Sequence, residues 1–186
     1  MSVLRVASRY AKSLMELSVE KGELDKVHQD MNKLLEIGQS NPELKAMLQS
    51  PVIHSDKKAK VLKALFAKPA SPLTLVFFNL LSQKGRENAA MAIAQDFHKK
   101  YNIHKGIQEA NIVTTFAIDD ELRNTFIKLV KEISGKDRVE LKEKIDPEII
   151  GGYVLTVDDR QVDESLESKL KMLQIRFTQN LYEKRY

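Results

Sequence analysis

The chain has 186 residues, 42% of them hydrophobic and 30% charged, with a mean hydropathy of −0.35 and a net charge of +4. That apolar share suffices for a packed core and excludes wholesale disorder, and the lack of cysteine excludes disulfides, thiolate metal sites and a cysteine nucleophile. No apolar run approaches the ~20 residues of a membrane helix, and Arg5 and Arg9 interrupt any leader-like segment, so the composition predicts a soluble protein of intracellular type. The charge is uneven. Residues 1–105 carry 17 Lys and Arg against 10 Asp and Glu, whereas residues 106–186 carry 13 against 16. A change of sign along the chain predicts two units with different surfaces.

In chain order, the first unit reads as helix after helix. Val3, Leu4, Val6, Ala7, Tyr10, Ala11, Leu14, Met15 and Leu17 follow a helical period, with Gly22 as the stop. Leu24, Val27, Met31, Leu34 and Leu35 continue the pattern to Gly38. Asn41-Pro42 places a cap residue before a proline at the first helical position, opening a short helix with Leu44, Met47 and Leu48 that Pro51 closes. Ser55 or Asp56 caps a helix bearing Val61, Leu62, Leu65 and Phe66. Ser71-Pro72 repeats the cap-plus-proline device before Leu73–Leu81, stopped by Gly85, and a last helix runs through Met91, Ile93, Ala94, Phe97 and Tyr101. Six helices with short connections predict an antiparallel bundle over residues 1–105.

The period changes after Gly106. Ala110, Ile112, Thr114 and Phe116 alternate within Ile107–Phe116, which predicts a strand. Asp119 caps a helix with Leu122, Phe126, Leu129, Val130 and Ile133, ended by Gly135. Val139, Leu141 and Ile145 alternate, as do Tyr153, Leu155 and Val157, and Asp158-Asp159-Arg160 reads as a hairpin turn. Asp163 or Ser165 caps a final helix whose stripe is Leu166, Leu170, Leu173, Phe177 and Leu181. The fold class expected is therefore mainly α: a six-helix bundle, then a small α+β domain over residues 106–186, with the junction at His104–Gly106.

Motifs for chemistry are lacking. His28, His54, His98 and His104 include no i, i+4 pair, and no H-E-x-x-H, phosphate-loop, dinucleotide or nucleophile-elbow pattern occurs. His98 and His104 could converge on a metal, but surface histidines near a helix end are the plainer reading. Gly151-Gly152 precede a strand rather than a helix, which argues for a close backbone approach instead of a phosphate cradle. Asp119-Asp120 suit a helix start and Asp158-Asp159 a turn, so neither pair implies acid–base catalysis. No enzyme, catalytic residue, metal or cofactor is expected. Lys57, Lys58, Lys60, Lys63 and Lys68 support an alternative, a basic helical adaptor that binds nucleic acid. Lysines on the wet face of an amphipathic helix are the ordinary case, however, and no recognition motif accompanies them.

The anomaly is surplus apolar surface. Seven of the nine residues in Leu73–Leu81 are apolar. At 100° per residue, Leu73, Val76, Phe77 and Leu80 share one face while Leu75 and Phe78 point away, so the helix is either buried on all sides or lines a groove. The first helix has a wide apolar arc with Val6, Tyr10 and Leu17 on one edge. Together they predict a groove for another amphipathic helix.

These residues also carry a resemblance. Arg9-Tyr10-Ala11-Lys12-Ser13-Leu14, Gly22-Glu23-Leu24-Asp25-Lys26-Val27, Leu48-Gln49-Ser50-Pro51-Val52-Ile53, and Leu80-Leu81 with Lys84-Gly85-Arg86 are similar to the ATP synthase delta-subunit family, whose mitochondrial counterpart is the oligomycin-sensitivity-conferring protein. The most specific stretch is Asp146-Pro147-Glu148-Ile149-Ile150-Gly151-Gly152, followed by Asp159 and by Asp163-Glu164-Ser165. Asp158, and Glu164 before the serine, stand where the family often has glycine. The resemblance implies a non-catalytic stator subunit, peripheral at the cytoplasmic face of the inner (plasma) membrane, with no nucleic acid among its partners. It implies that the N-terminal bundle holds the N-terminal helix of an alpha subunit between its first and fifth helices, and that the second domain meets the b subunits of the peripheral stalk. On this chain the implied groove comprises Val6, Tyr10, Ser13, Leu17, Val76, Phe77 and Leu80. Asp146, Pro147, Gly151, Gly152, Asp163 and Ser165 are implied as structural motif residues.

Overall fold

A computed structural model describes residues 3–50, 52–66 and 70–178. Pro51 as a helix end, Lys68 in the basic cluster and Leu181 in the final stripe lie outside the described residues. The described chain is mainly helical with one four-stranded sheet, and it divides into two compact units, Met1–His104 and Lys105–Tyr186.

The first unit contains α1 (Val3–Glu20), α2 (Leu24–Ser40), α3 (Pro42–Gln49), α4 (Ser55–Leu65), α5 (Pro72–Gln83), a single 3-10 turn at Glu87–Ala89, and α6 (Ala90–Lys105). Its core gathers Ala11, Leu14, Val27, Met31, Leu34, Leu48, Leu62, Phe66, Phe78, Leu81, Ile93 and Phe97, all almost wholly buried.

Several helix ends differ from expectation, each for a local reason. Gly38 does not stop α2. It lies inside the helix and is buried, because a Cβ there would collide with the Met91 side chain from α6, so the glycine is a packing notch rather than a terminator. Asn41 does not cap α3 with its side chain; its Nδ2 donates to the Ile37 carbonyl at 3.1 Å, which finishes α2. The cap position of α4 is His54, with Ser55 and Asp56 already in the first turn. Lys58 is not on the wet face of α4. It is 5% exposed, and its Nζ donates to the carbonyls of Leu48 at 2.9 Å and Ser50 at 2.7 Å, closing the C-terminal end of α3.

The second unit comprises β1 (Ile107–Thr114), α7 (Asp120–Ser134), β2 (Arg138–Ile145), a 3-10 turn at Pro147–Ile149, β3 (Tyr153–Val157), β4 (Arg160–Asp163) and α8 (Leu166–Thr178). The sheet order is β2-β1-β3-β4, with β1 and β2 parallel and the other pairs antiparallel. A parallel pair needs a crossover, which α7 supplies. Ala110, Ile112, Leu155 and Val157 face α7, where Phe126 and Val130 complete the core. Asp119 Oδ1 accepts from the Leu122 amide at 2.9 Å, and Gly135 ends α7 at φ +68°. Phe116 departs from the alternation. It lies past the end of β1 and is exposed, because the chain bends at residues 115–116. Asp158 takes φ +50° in the β3–β4 turn, a conformation that suits glycine and that aspartate tolerates.

Candidate functional site: an apolar groove and a helix junction

The start of α5 is anchored by polar groups. Buried Asp30 accepts through Oδ2 from the Ser71 amide at 2.9 Å and from the Thr74 hydroxyl at 2.6 Å. The Ser71 hydroxyl donates to Glu23 at 2.8 Å and accepts from the Leu73 amide at 3.2 Å. Three short hydrogen bonds from α2 residues and their flank thus set the position of α5, and this packing decides which residues its apolar face exposes.

α5 is not buried on all sides. Val76 is 63% exposed and Leu80 41%, while Phe77 is only 7% exposed and Leu73, Phe78 and Leu81 are buried. Across from them, α1 presents Tyr10, Ser13 and Leu17. The two helices enclose a groove of about 350 Å³ lined by Tyr10, Ser13, Leu14, Leu17, Leu73, Val76, Phe77 and Leu80. Tyr10 and Phe77 meet edge to face, with ring centroids 6.3 Å apart and planes at 69°. The groove has a buried floor (Leu14, Leu73, Phe77) and an exposed apolar rim (Leu17, Val76, Leu80).

Six of the seven anticipated groove residues line this groove, and Val6 does not. Val6 is buried and instead borders an adjoining hollow of about 340 Å³ with Arg9, Tyr10, Ser13 and Arg86. Leu14 and Leu73 were not anticipated in the groove, although both sit on the apolar stripes of α1 and α5. A larger hollow of about 630 Å³ lies between α1 and α6, bordered by Met15, Glu16, Val19, Glu20, Lys100, Ile103 and His104.

Of the two histidines expected at the surface, His104 is exposed and His98 is not. His98 is half-buried against His28, with Nδ1 and Nε2 3.0 Å apart, and Tyr101 stacks on His28 at 3.6 Å between centroids. Among the described residues no group of three or more His, Asp or Glu could hold a metal ion.

The family-motif residues form a junction that fastens α8 to the sheet. Asp146 donates its amide to the Thr114 carbonyl at 2.8 Å, and its carboxylate accepts from Lys144 at 3.1 Å and the Glu148 amide at 3.2 Å. These contacts hold its carboxyl below the ordinary value of 3.8, the Lys144 hydrogen bond contributing most. Pro147 opens the 3-10 turn, and the Gly151 carbonyl accepts from the Leu166 amide at 2.9 Å. Gly152 takes φ +79°, and a Cβ there would run into the Glu164 carbonyl oxygen. Ser165 caps α8 by accepting from the Ser168 amide at 3.2 Å. Asp163 accepts from the Ser165 amide at 3.0 Å and the Ser168 hydroxyl at 2.7 Å. The serine hydrogen bonds, with that of Ser168 first, lower the Asp163 carboxyl below 3.8. Beyond this junction, Leu166, Leu170, Met172, Leu173, Ile175 and Phe177 of α8 are all exposed, and none of the helix is buried. Within the described residues the anticipated stripe is present as Leu166, Leu170, Leu173 and Phe177, and all four face solvent.

Comparison with known proteins agrees with this architecture. A family model described as ATP synthase delta (OSCP) subunit matches residues 6–177. The chain is 38% identical over 181 residues to the ATP synthase subunit delta of Cytophaga hutchinsonii, covering 97% of this chain and 98% of that one. It is 36% identical over 177 residues to the subunit delta of Amoebophilus asiaticus, covering 95% and 96%. A chain in the cryo-EM structure of the Toxoplasma gondii mitochondrial ATP synthase hexamer matches with a TM-score of 0.73 at 20% identity, covering 92% of this chain and 96% of that chain, which speaks for the fold.

Proposed function

This chain belongs to the ATP synthase delta (OSCP) subunit family, and we propose that it is a non-catalytic stator subunit of a proton-translocating ATP synthase. In this reading the groove between α1 and α5 grips the N-terminal helix of an alpha subunit of the catalytic head. The exposed apolar face of α8 meets the b subunits of the peripheral stalk. The connection resists the torque of the rotor, so that proton flow drives synthesis rather than turning the head. It does so by binding alone, and it places the chain peripherally, at the cytoplasmic face of the membrane. Among the described residues no helix is long and apolar enough to cross a bilayer.

The observation that carries the proposal is the groove itself. A stable small domain gains nothing by leaving Val76 and Leu80 in water, since each buried aliphatic side chain contributes about 1.5–3 kcal/mol. An amphipathic helix laid across Leu17, Val76 and Leu80 would recover that burial, with Phe77 and Leu14 as its floor.

The test is Leu80→Glu, assayed by titrating the whole chain with a peptide copying the alpha-subunit N-terminus. An unpaired carboxylate pressed into an apolar contact costs several kcal/mol, so the affinity is expected to fall at least about a hundredfold. Because Leu80 is half-exposed, far-UV circular dichroism and the melting temperature are expected to stay unchanged. A folded Leu80→Glu chain that binds the peptide as tightly as the parent would overturn the groove assignment. Tyr10→Ala removes contact area without adding charge and is expected to weaken the same complex less.

A further inference from the structure

We infer that Arg9 and Arg86 form a carboxylate-binding subsite at one end of the α1–α5 groove, selecting a partner helix that carries an acidic side chain beside its apolar stripe. The inference rests on the groove reading above and adds a chemical requirement to it.

Four observations support it. First, the hollow bordered by Arg9 and Arg86 shares Tyr10 and Ser13 with the groove, so the two are continuous and a helix that fills the groove ends beside the hollow. Along α1, Val6, Arg9, Tyr10, Ser13 and Leu17 recur at helical spacing on one face, which puts Arg9 on the groove side rather than the back.

Second, the backbone carrying Arg86 is fixed. The Gly85 amide donates to the Ser82 carbonyl at 3.0 Å and the Arg86 amide to the Leu81 carbonyl at 2.9 Å, with Gly85 at φ +60°. This paired closure of a helix end ties Arg86 to the last turn of α5.

Third, neither arginine has an acidic partner in an ion pair among the described residues. The neighbouring Lys12 does, reaching Glu16 at 3.8 Å. No acidic residue is among those bordering the hollow, which besides the arginines are Val6, Tyr10 and Ser13, and the Ser13 hydroxyl donates to the Arg9 carbonyl at 3.1 Å.

Fourth, the charges of α1 oppose its own dipole. The first turn holds Arg5 and no acid, and the last turn ends on Glu20 with no base. Helix stability favours the reverse arrangement, and Arg9, one turn beyond Arg5, adds to the positive charge at this end.

Two arginines bordering one hollow suit a carboxylate, which a guanidinium can bind in a fork. The hollow opens onto a groove whose lining carries no charged residue. An acid on a groove-bound helix would therefore meet the arginines as part of one contact, and we assign the carboxylate to the partner rather than to a free anion.

The experiment titrates the whole chain with synthetic amphipathic helical peptides that share one apolar stripe. A glutamate is scanned through the wet-face positions flanking the stripe, and each peptide is matched by its glutamine counterpart. At one flanking position the glutamate peptide is expected to bind about fivefold or more tightly, a preference that shrinks with salt. The preference is expected to vanish in the Arg9→Gln, Arg86→Gln double variant, and Arg86→Glu is expected to favour a lysine at that position instead. Both arginines are exposed, so these variants are expected to fold; should one unfold, the glutamate–glutamine comparison on the parent chain still decides. Glutamate and glutamine peptides that bind alike at every position would overturn the subsite while leaving the groove intact. Binding of neither series would overturn the groove reading and the subsite with it. Inorganic phosphate that binds the arginine pair while the peptides show no glutamate preference would mean a free-anion site, against the inference.

Discussion

The α1–α5 groove and the outer face of α8 are both apolar and both exposed, yet they are built in opposite ways. The groove is concave, and its rim stands on a buried floor of Leu14, Leu73 and Phe77 that belongs to the core of the first unit. The α8 face has no floor. The helix is held at its N-terminal end by the Gly151–Gly152 and Asp163–Ser165 junction, and none of its described residues is buried. One surface is therefore preformed by packing, and the other is a helix fastened at its first turn by backbone and side-chain hydrogen bonds. Binding to the first draws on a concave surface already set by the core, whereas the second offers exposed side chains with no buried floor beneath them.

This difference is open to test by substitution. Phe78→Ala, behind the groove and 2% exposed, is expected to cost about 3–5 kcal/mol in denaturant unfolding, whereas Val76→Ala at the rim is expected to stay within about 0.5 kcal/mol. Equal losses at the two positions would mean that rim and floor are not distinct.

A smaller loss, about 1–3 kcal/mol, is expected for Gly152→Ala, which demands a positive φ from alanine and sets its methyl against the Glu164 carbonyl. The accompanying sign is weakened protection of the α8 amides in hydrogen exchange, with the α1–α5 amides unaffected.

The Asp163 contribution depends on pH in a stated direction. Its carboxyl is lowered in the folded chain, so its stabilisation is fully present above the unfolded value of 3.8 and lost as pH falls through the lower folded value. Asp163→Asn is expected to lower the melting temperature of the second unit at neutral pH. Its difference from the parent is expected to shrink below pH 3.8, and a difference that stays constant into acid would remove the carboxylate from the account of the junction.

The smallest effect is expected on α8 itself. Leu170→Glu and Leu173→Glu should change the stability of the free chain by no more than about 0.5 kcal/mol, because neither side chain is buried. Their consequence is expected in capture of b-subunit fragments instead. A large loss of stability would show that the stripe packs within the chain.

The helical periods of the first unit, the alternation in β1, β2 and β3, and the caps at Ser71 and Asp119 were all legible in the sequence. Each is a property of residues within one or two turns of each other, where rotation per residue and a single side-chain hydrogen bond decide the outcome. The same periodicity places Val76, Phe77 and Leu80 on one side of α5. It could not rank their depth, since Phe77 sinks and Val76 stays exposed according to where Asp30 anchors the start of the helix from α2. Gly38 reads as a stop until Met91 is brought against it, and Lys58 reads as a solvent lysine until the end of α3 offers it two carbonyls. His28 and His98 lie 70 positions apart and meet only because α2 and α6 do. Arg9 and Arg86 likewise come from distant parts of the chain, and the hollow they share leaves no trace in local spacing. Local sequence determined which residues form helices and strands and which faces are apolar. Tertiary packing alone decided which of those faces are buried and which polar groups meet, because both depend on contacts between elements distant in the chain.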